Sequence, residues 1–174
     1  GDINVLNGTW YAPGPGNYTY NTQGNITVTS PGILSLGLVD LTFSGNSAQV
    51  INTWSSYNCF YFMSGIIDKT GASDPVTLNG FMRTSTGMEI DNGILNIDGG
   101  HFFAGGVTNI NSGGTLFMIN GADLEQYTPP ASININSGGS LETFGTETNM
   151  NHIHSEEIVG WSMEFNVNSG GSIA

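Results

Sequence analysis

One eight-residue phrase recurs three times without a gap, and it constrains the fold more than any other feature. It reads Asn109-Ile110-Asn111-Ser112-Gly113-Gly114-Thr115-Leu116, then Asn134-Ile135-Asn136-Ser137-Gly138-Gly139-Ser140-Leu141. The third copy is Asn166-Val167-Asn168-Ser169-Gly170-Gly171-Ser172-Ile173. Looser relatives are Leu95-Asn96-Ile97-Asp98-Gly99-Gly100-His101-Phe102 and Thr27-Val28-Thr29-Ser30-Pro31-Gly32-Ile33-Leu34. Internal repeats mark stacked architectures in which each unit buries its apolar face against its neighbours. Alternation sets Ile135 on one face and Asn134 and Asn136 on the other, the period of a half-buried strand. Ser-Gly-Gly supplies a corner, because Gly accepts positive φ with no Cβ penalty. Leu141 then returns the chain to the apolar face. Equivalent positions are expected to form one apolar column of Ile110, Leu116, Ile135, Leu141, Val167 and Ile173, with Asn side chains pairing along the stack.

The fold expected is all-β: a right-handed parallel β-solenoid in a single domain, 1–174, with its clearest repeats over 95–173 and a less regular N-terminal half. Ser112 to Ser137 spans 25 residues and Ser137 to Ser169 spans 32. That uneven period keeps a β-sandwich or jelly roll open, with the octets as hairpin corners. The stretches 123–130 and 149–157 read as polar loops inserted between coils. Between Leu41 and Arg83 the repeat fades into short strand-like runs.

Composition narrows the function classes. Gly, Asn, Ser and Thr number 26, 20, 17 and 17 in 174 residues, which disfavours a helical bundle. Two Lys or Arg against 14 Asp or Glu give a net charge of -12, a surface that repels phosphate backbones and anionic lipid. Nucleic-acid partners are therefore not expected. No apolar run reaches the ~18 residues of a membrane span, so no membrane insertion is expected either. Cys59, the one cysteine, sits beside Phe60, Tyr61 and Phe62 and reads as a buried thiol.

The octets resemble the Gly-Gly-Ser/Thr repeats of bacterial secreted and surface adhesins. That resemblance implies a right-handed parallel β-solenoid, an extracellular setting and a structural or adhesive role. The calcium-binding nonapeptide repeat differs, since no Asp follows these glycines.

Chemistry-bearing candidates are few. His152 and His154 share one face of a strand, and Glu156 follows, a weak metal-ligand set read here as a solvated loop. Glycoside cleavage needs two carboxylates across a bond, and Glu142 with Glu147, or Asp91 with Asp98, are the available pairs. Neither pair stands out from the surface carboxylates around it, and no nucleophile or phosphate-loop motif occurs, so the chain reads as non-enzymatic and without cofactor. Asn7, Asn17 and Asn25 begin N-glycan acceptor triplets. Trp10, Tyr11, Tyr18 and Tyr20 offer a carbohydrate-stacking platform or a cap for a β-core.

Assembly is the remaining expectation. An open solenoid end exposes unpaired backbone groups that invite strand addition. Ile3-Asn4-Val5-Leu6 is a short alternating strand at one end, and Val167 and Ile173 close the last octet at the other. Residues 1–6 are expected to pair with the next copy, giving a head-to-tail homopolymer at a cell surface, with glycans as a secondary partner.

Overall fold

The computed structural model describes residues 1–12, 17–54, 59–71, 73–155 and 163–174. Among them every regular element is a β-strand, and the strands lie in parallel ladders. The fold is a β-solenoid. The first circuit comprises β1 (Ile3–Val5), β2 (Thr9–Tyr11) and β3 (Tyr18–Thr22). The circuit then repeats as β4 (Ile26–Val28) with β5 (Ile33–Phe43), and as β6 (Gln49–Thr53) with β7 (Phe60–Asp68). Next come β8 (Pro75–Asn79), the long β9 (Phe81–Asp98), which turns a corner within itself, and β10 (His101–Ile110). The last strands are β11 (Gly114–Ile119), β12 (Asp123–Ile135), β13 (Ser140–Phe144), β14 (His152–Ser155), β15 (Met163–Val167) and β16 (Ser172–Ile173).

Two ladders result. Ladder A stacks β1, β4, β6, β8, the end of β9, β11, β13 and β16. Ladder B stacks β2 and β3, β5, β7, the start of β9, β10, β12, and then β14 and β15. Strand alternation sends every second side chain inward, and parallel register sets like on like. One inward column of ladder A runs Ile3, Ile26, Ile51, Leu78, Ile97, Met118, Thr143. One of ladder B runs Thr22, Phe43, Ile67, Ile90, Ile110, Ile135, Val167. The interior members from Phe43 to Ile135 are fully buried.

This geometry corrects several expectations. The octet positions form two columns instead of one, because the corner lies between them. Ile110, Ile135 and Val167 stack in ladder B, and Leu116, Leu141 and Ile173 stack in ladder A. The two loose relatives at 27–34 and 95–102 are not octet equivalents, since they turn from ladder A into ladder B, the opposite corner. The true forerunner is Glu89-Ile90-Asp91-Asn92-Gly93-Ile94-Leu95, whose Glu89, Gly93 and Leu95 are in register with Asn109, Gly114 and Leu116. The stretch 123–130 is strand, part of β12, and His152–Ser155 is strand β14 instead of loop. Both pair backbone with the preceding circuit, which overrides their polar composition.

The corners explain the double glycine. In each octet the second Gly N–H donates to the first turn residue's carbonyl, as in Gly139 N to Asn136 O at 2.9 Å, closing a four-residue turn. The first glycines, Gly113, Gly138 and Gly170, have φ of 87°, 80° and 86°, the left-handed region. The second glycines are needed for another reason. A Cβ on Gly139 would lie 2.3 Å from Ile110 O of the previous coil, and one on Gly114 2.0 Å from Ile90 O.

Candidate functional site

Two features of the outer surface and the two ends of the stack hold the groups able to act on a partner. The first feature is a pair of amide ladders. Asn134 Nδ2 donates to Asn109 Oδ1 at 2.7 Å, and Asn166 Nδ2 to Asn134 Oδ1 at 2.9 Å. Beside them Asn136 Nδ2 donates to Asn111 Oδ1 at 2.6 Å, and Asn168 Nδ2 to Asn136 Oδ1 at 2.7 Å. All four bonds point toward the N-terminal end. Both ladders terminate on carboxylates: Glu89 accepts from Asn109 and Asn111 at 2.7 and 2.9 Å, and Asp91 accepts from Asn111 at 2.6 Å. An ionised carboxylate only accepts, so it finishes a one-way chain of donors with no dangling N–H.

The second feature lies on the outer face at the start of ladder B, where His101, Asp123 and His152 occupy one column and Phe103, Glu125 and His154 the next. His101 Nε2 lies 3.2 Å from Glu125 Oε2 and 3.6 Å from Asp123 Oδ2, and His154 Nε2 lies 2.9 Å from Asp123 Oδ1. Burial holds the His101 pKa below the usual 6.5, the attraction of Asp123 opposes this, and repulsion from His154 adds to it. The His101 ring stacks on Phe103 at 3.9 Å, with Phe81 at 4.8 Å. Arg83 lies over the Tyr127 ring at 4.3 Å. In sequence His101 lies more than 50 residues from His154, and the coil length that brings them to one carboxylate becomes known only from the register. Among the described residues no three His, Cys, Asp or Glu side chains are arranged to hold a metal ion.

The ends of the stack differ from its middle. At the N-terminal end Trp10 and Tyr20 are 47% and 53% exposed, whereas their column partners Leu34 and Leu41 are fully buried. Together with Ile3, Tyr11, Tyr18 and Leu36 they line a cavity of about 280 Å³, the open mouth of the interior. At the other end Val167 and Ile173 are 50% and 53% exposed, while Ile135 and Leu141 beneath them are buried. Ile3 and Val5 pair with Ile26 and Val28 of their own chain, and Val5 is buried, whereas Leu6 is exposed.

The other sequence candidates are scattered. His152 and His154 are exposed on one face of β14, and Glu156 lies outside the described residues. Asp91 and Asp98 accept from Asn111 and Asn120 on either side of the Gly93 corner. Glu142 stands on β13 and Glu147 in an exposed turn after it. Asn7, Asn17 and Asn25 are exposed, and the Asn7 and Asn25 carboxamides accept from Gly8 N and Val50 N, each at 2.8 Å. Cys59 is buried, its Sγ donating to Trp54 O at 3.0 Å. Lys69, which sequence reasoning left without a role, is fully buried, and its ammonium donates to Ser44 O, Ser47 O and Gln49 Oε1 at 3.1, 2.6 and 2.7 Å. Compared with known protein families, curated proteins and solved structures, the chain matches none.

Proposed function

We propose that the chain is a non-enzymatic structural subunit of an extracellular filament or surface adhesin, self-assembling by addition of one solenoid end to the other. The observation that supports this reading is the stack itself, in which each coil adds to the backbone edge and apolar column of the coil before it, the same contact that strand addition between copies would repeat. Unpaired strand edges beside apolar side chains favour edge-to-edge addition, and a heterologous contact between unlike ends repeats into a fibre. The surface charge opposes this at low salt, so assembly is favoured where ionic screening is strong. The absence of a metal, a cofactor or a second activity is part of the proposal and rests on composition.

The test is electron microscopy with sedimentation over a range of concentrations at physiological salt. Ordered fibres support the reading, and a chain that stays monomeric at high concentration overturns it. Val167→Asp places a charge on an already exposed end residue, so it is expected to abolish fibres while leaving the fold intact by circular dichroism. Deleting residues 1–6 tests whether β1 is the added edge: fibres as abundant as those of the full chain would rule that strand out.

A second reading, a glycan-binding adhesin or phage-fibre module, is favoured by the aromatic mouth of Trp10, Tyr11, Tyr18 and Tyr20, since stacked aromatic faces suit sugar rings. Binding of the monomer to a glycan array, lost on Trp10→Ala, would support it; no binding at millimolar sugar would overturn it.

A further inference from the structure

One outward column of ladder A starts an amide ladder and then interrupts it. The column runs Asn4, Thr27, Asn52, Asn79, each in register with the next. Asn79 Nδ2 donates to Asn52 Oδ1 at 3.1 Å, the same inter-coil bond that the octet columns make. A planar amide that turns its oxygen to the following coil turns its nitrogen to the preceding one, and there the column holds Thr27. A threonine hydroxyl sits directly on Cβ and reaches less far than a carboxamide. Asn52 Nδ2 and Thr27 Oγ1 therefore have no partner among the described residues. The short side chain leaves a hollow of about 410 Å³ on the flank of the stack, where the chain turns from ladder A into ladder B. Thr27, Val28, Ser30, Asn52, Trp54 and Asn79 are among the residues that line it.

Trp54 is the fixed wall of this hollow. Its Nε1 donates to Gly32 O of the previous circuit at 2.8 Å, and the ring packs against the core while remaining half-buried. Two of the neighbouring hydroxyls are already engaged. Thr53 Oγ1 accepts from Phe81 N at 2.6 Å and donates to Phe81 O at 2.7 Å, and Thr29 Oγ1 donates to Leu6 O at 3.3 Å. What stays open to a ligand is one amide donor, the Thr27 and Ser30 hydroxyls and the indole. None of the described lining residues is ionisable. The volume is that of a small-molecule site. An aromatic wall beside neutral donors and acceptors suits a pyranose ring, whose C–H face stacks while its hydroxyls both donate and accept. A phosphate or carboxylate ligand would meet the field of a chain with net charge -12, and an apolar one would leave the amide and hydroxyls unpaired.

We propose that this hollow binds one neutral sugar residue of a glycan, its ring stacked on Trp54 and its hydroxyls bonded to Asn52 Nδ2 and Thr27 Oγ1. The site extends the glycan-binding reading to a place of its own and does not depend on the aromatic mouth. It stands on the side of the stack and needs no contact between copies, so a filament would carry one such site per subunit along its flank.

The test is a titration of the isotope-labelled chain with glucose, galactose, mannose and N-acetylglucosamine, followed through side-chain amide and indole NMR signals, with glucuronate as the anionic control. At least one neutral sugar is expected to shift the Asn52 carboxamide and Trp54 indole signals saturably. Thr27→Asn sets a carboxamide where Asn52 can donate to it, so it closes the ladder, fills the hollow and is expected to abolish the shift in a chain still folded by circular dichroism. Trp54→Ala is expected to weaken binding about tenfold. No shift with any of the neutral sugars at tens of millimolar, equal binding of glucuronate, or binding that survives Thr27→Asn would overturn the site. Binding lost on Trp10→Ala and untouched by Thr27→Asn would place the sugar in the mouth, overturning the hollow and leaving the second reading standing.

Discussion

From Ile3 to Asn79 the stack is held by bulk in its interior, whereas from Glu89 to Ile173 it is held by identical neighbours at its corners and outer edge. The early circuits are wide: register partners from Ile3 through Ile26 and Ile51 to Leu78 are 23, 25 and 27 residues apart. They enclose Phe43, Phe60 and Phe62, with Phe60 and Phe62 rings 5.0 Å apart, and the fully buried Lys69. The next two circuits, Leu78 to Ile97 and Ile97 to Met118, take only 19 and 21 residues. Their interior is filled by Met82, Met88, Ile90, Leu95, Phe102 and Ala104, with one aromatic ring in place of three. There the outer face supplies order instead, through amide ladders and Ser-Gly-Gly corners that work only when the same residue recurs in the same place. Coil stacking thus needs inward apolar side chains in register, and it needs sequence repetition only where side chains pair with their own kind.

The largest expected effects lie in the wide half. Phe62→Ala should cost about 4 kcal/mol and Ile135→Ala about 3, read from denaturant midpoints, because both are fully buried and the larger ring leaves the larger cavity. A greater loss from Ile135 would reverse the assignment of bulk to the early coils. Lys69→Met should follow at about 3 kcal/mol, since it strands Ser44 O, Ser47 O and Gln49 Oε1 without a donor. Burial lowers the Lys69 pKa, and the attraction of Asp74 opposes that shift. A neutral or stabilising Lys69→Met would show that the acceptors are served by water.

The repeat half is probed at its corner. Gly139→Ala should cost about 1–3 kcal/mol, because the new Cβ meets Ile110 O and Ile110 C, backbone atoms of the previous coil that cannot swing aside. Gly138→Ala, which meets the strain of φ 80° but little backbone, should cost about 1 kcal/mol. Equal losses would mean that the two glycines share one role.

The smallest effect is a pH dependence on the outer face of the narrower coils. Because the folded His101 pKa lies below its usual 6.5, the unfolded chain binds that proton more readily. Stability is therefore unaffected by His101 well above that value and falls as pH drops through and below it. The melting temperature should fall between about pH 7.5 and about pH 5.5, and His101→Phe should flatten that slope. An unchanged slope would show that His101 does not carry it.

Alternation within Asn134-Ile135-Asn136 and the glycines that follow were enough to determine strand, corner and strand, because those preferences act within a few residues. Charge and composition likewise determined an all-β chain with a surface hostile to polyanions. What only the tertiary structure decided was which segments lie on which. Coil length varies from 19 to 32 residues, so no period in the sequence could show that Glu89-Ile90-Asp91 underlies Asn109-Ile110-Asn111, or that His101 and His154 meet at Asp123. Nor could it show that the polar stretch 123–130 yields to strand pairing, since backbone hydrogen bonds from the previous circuit outweigh local propensity. Lys69 is the clearest case: an isolated cation in sequence, it becomes an interior strut only once three acceptors between Ser44 and Gln49, more than 20 residues back along the chain in two cases, converge on it.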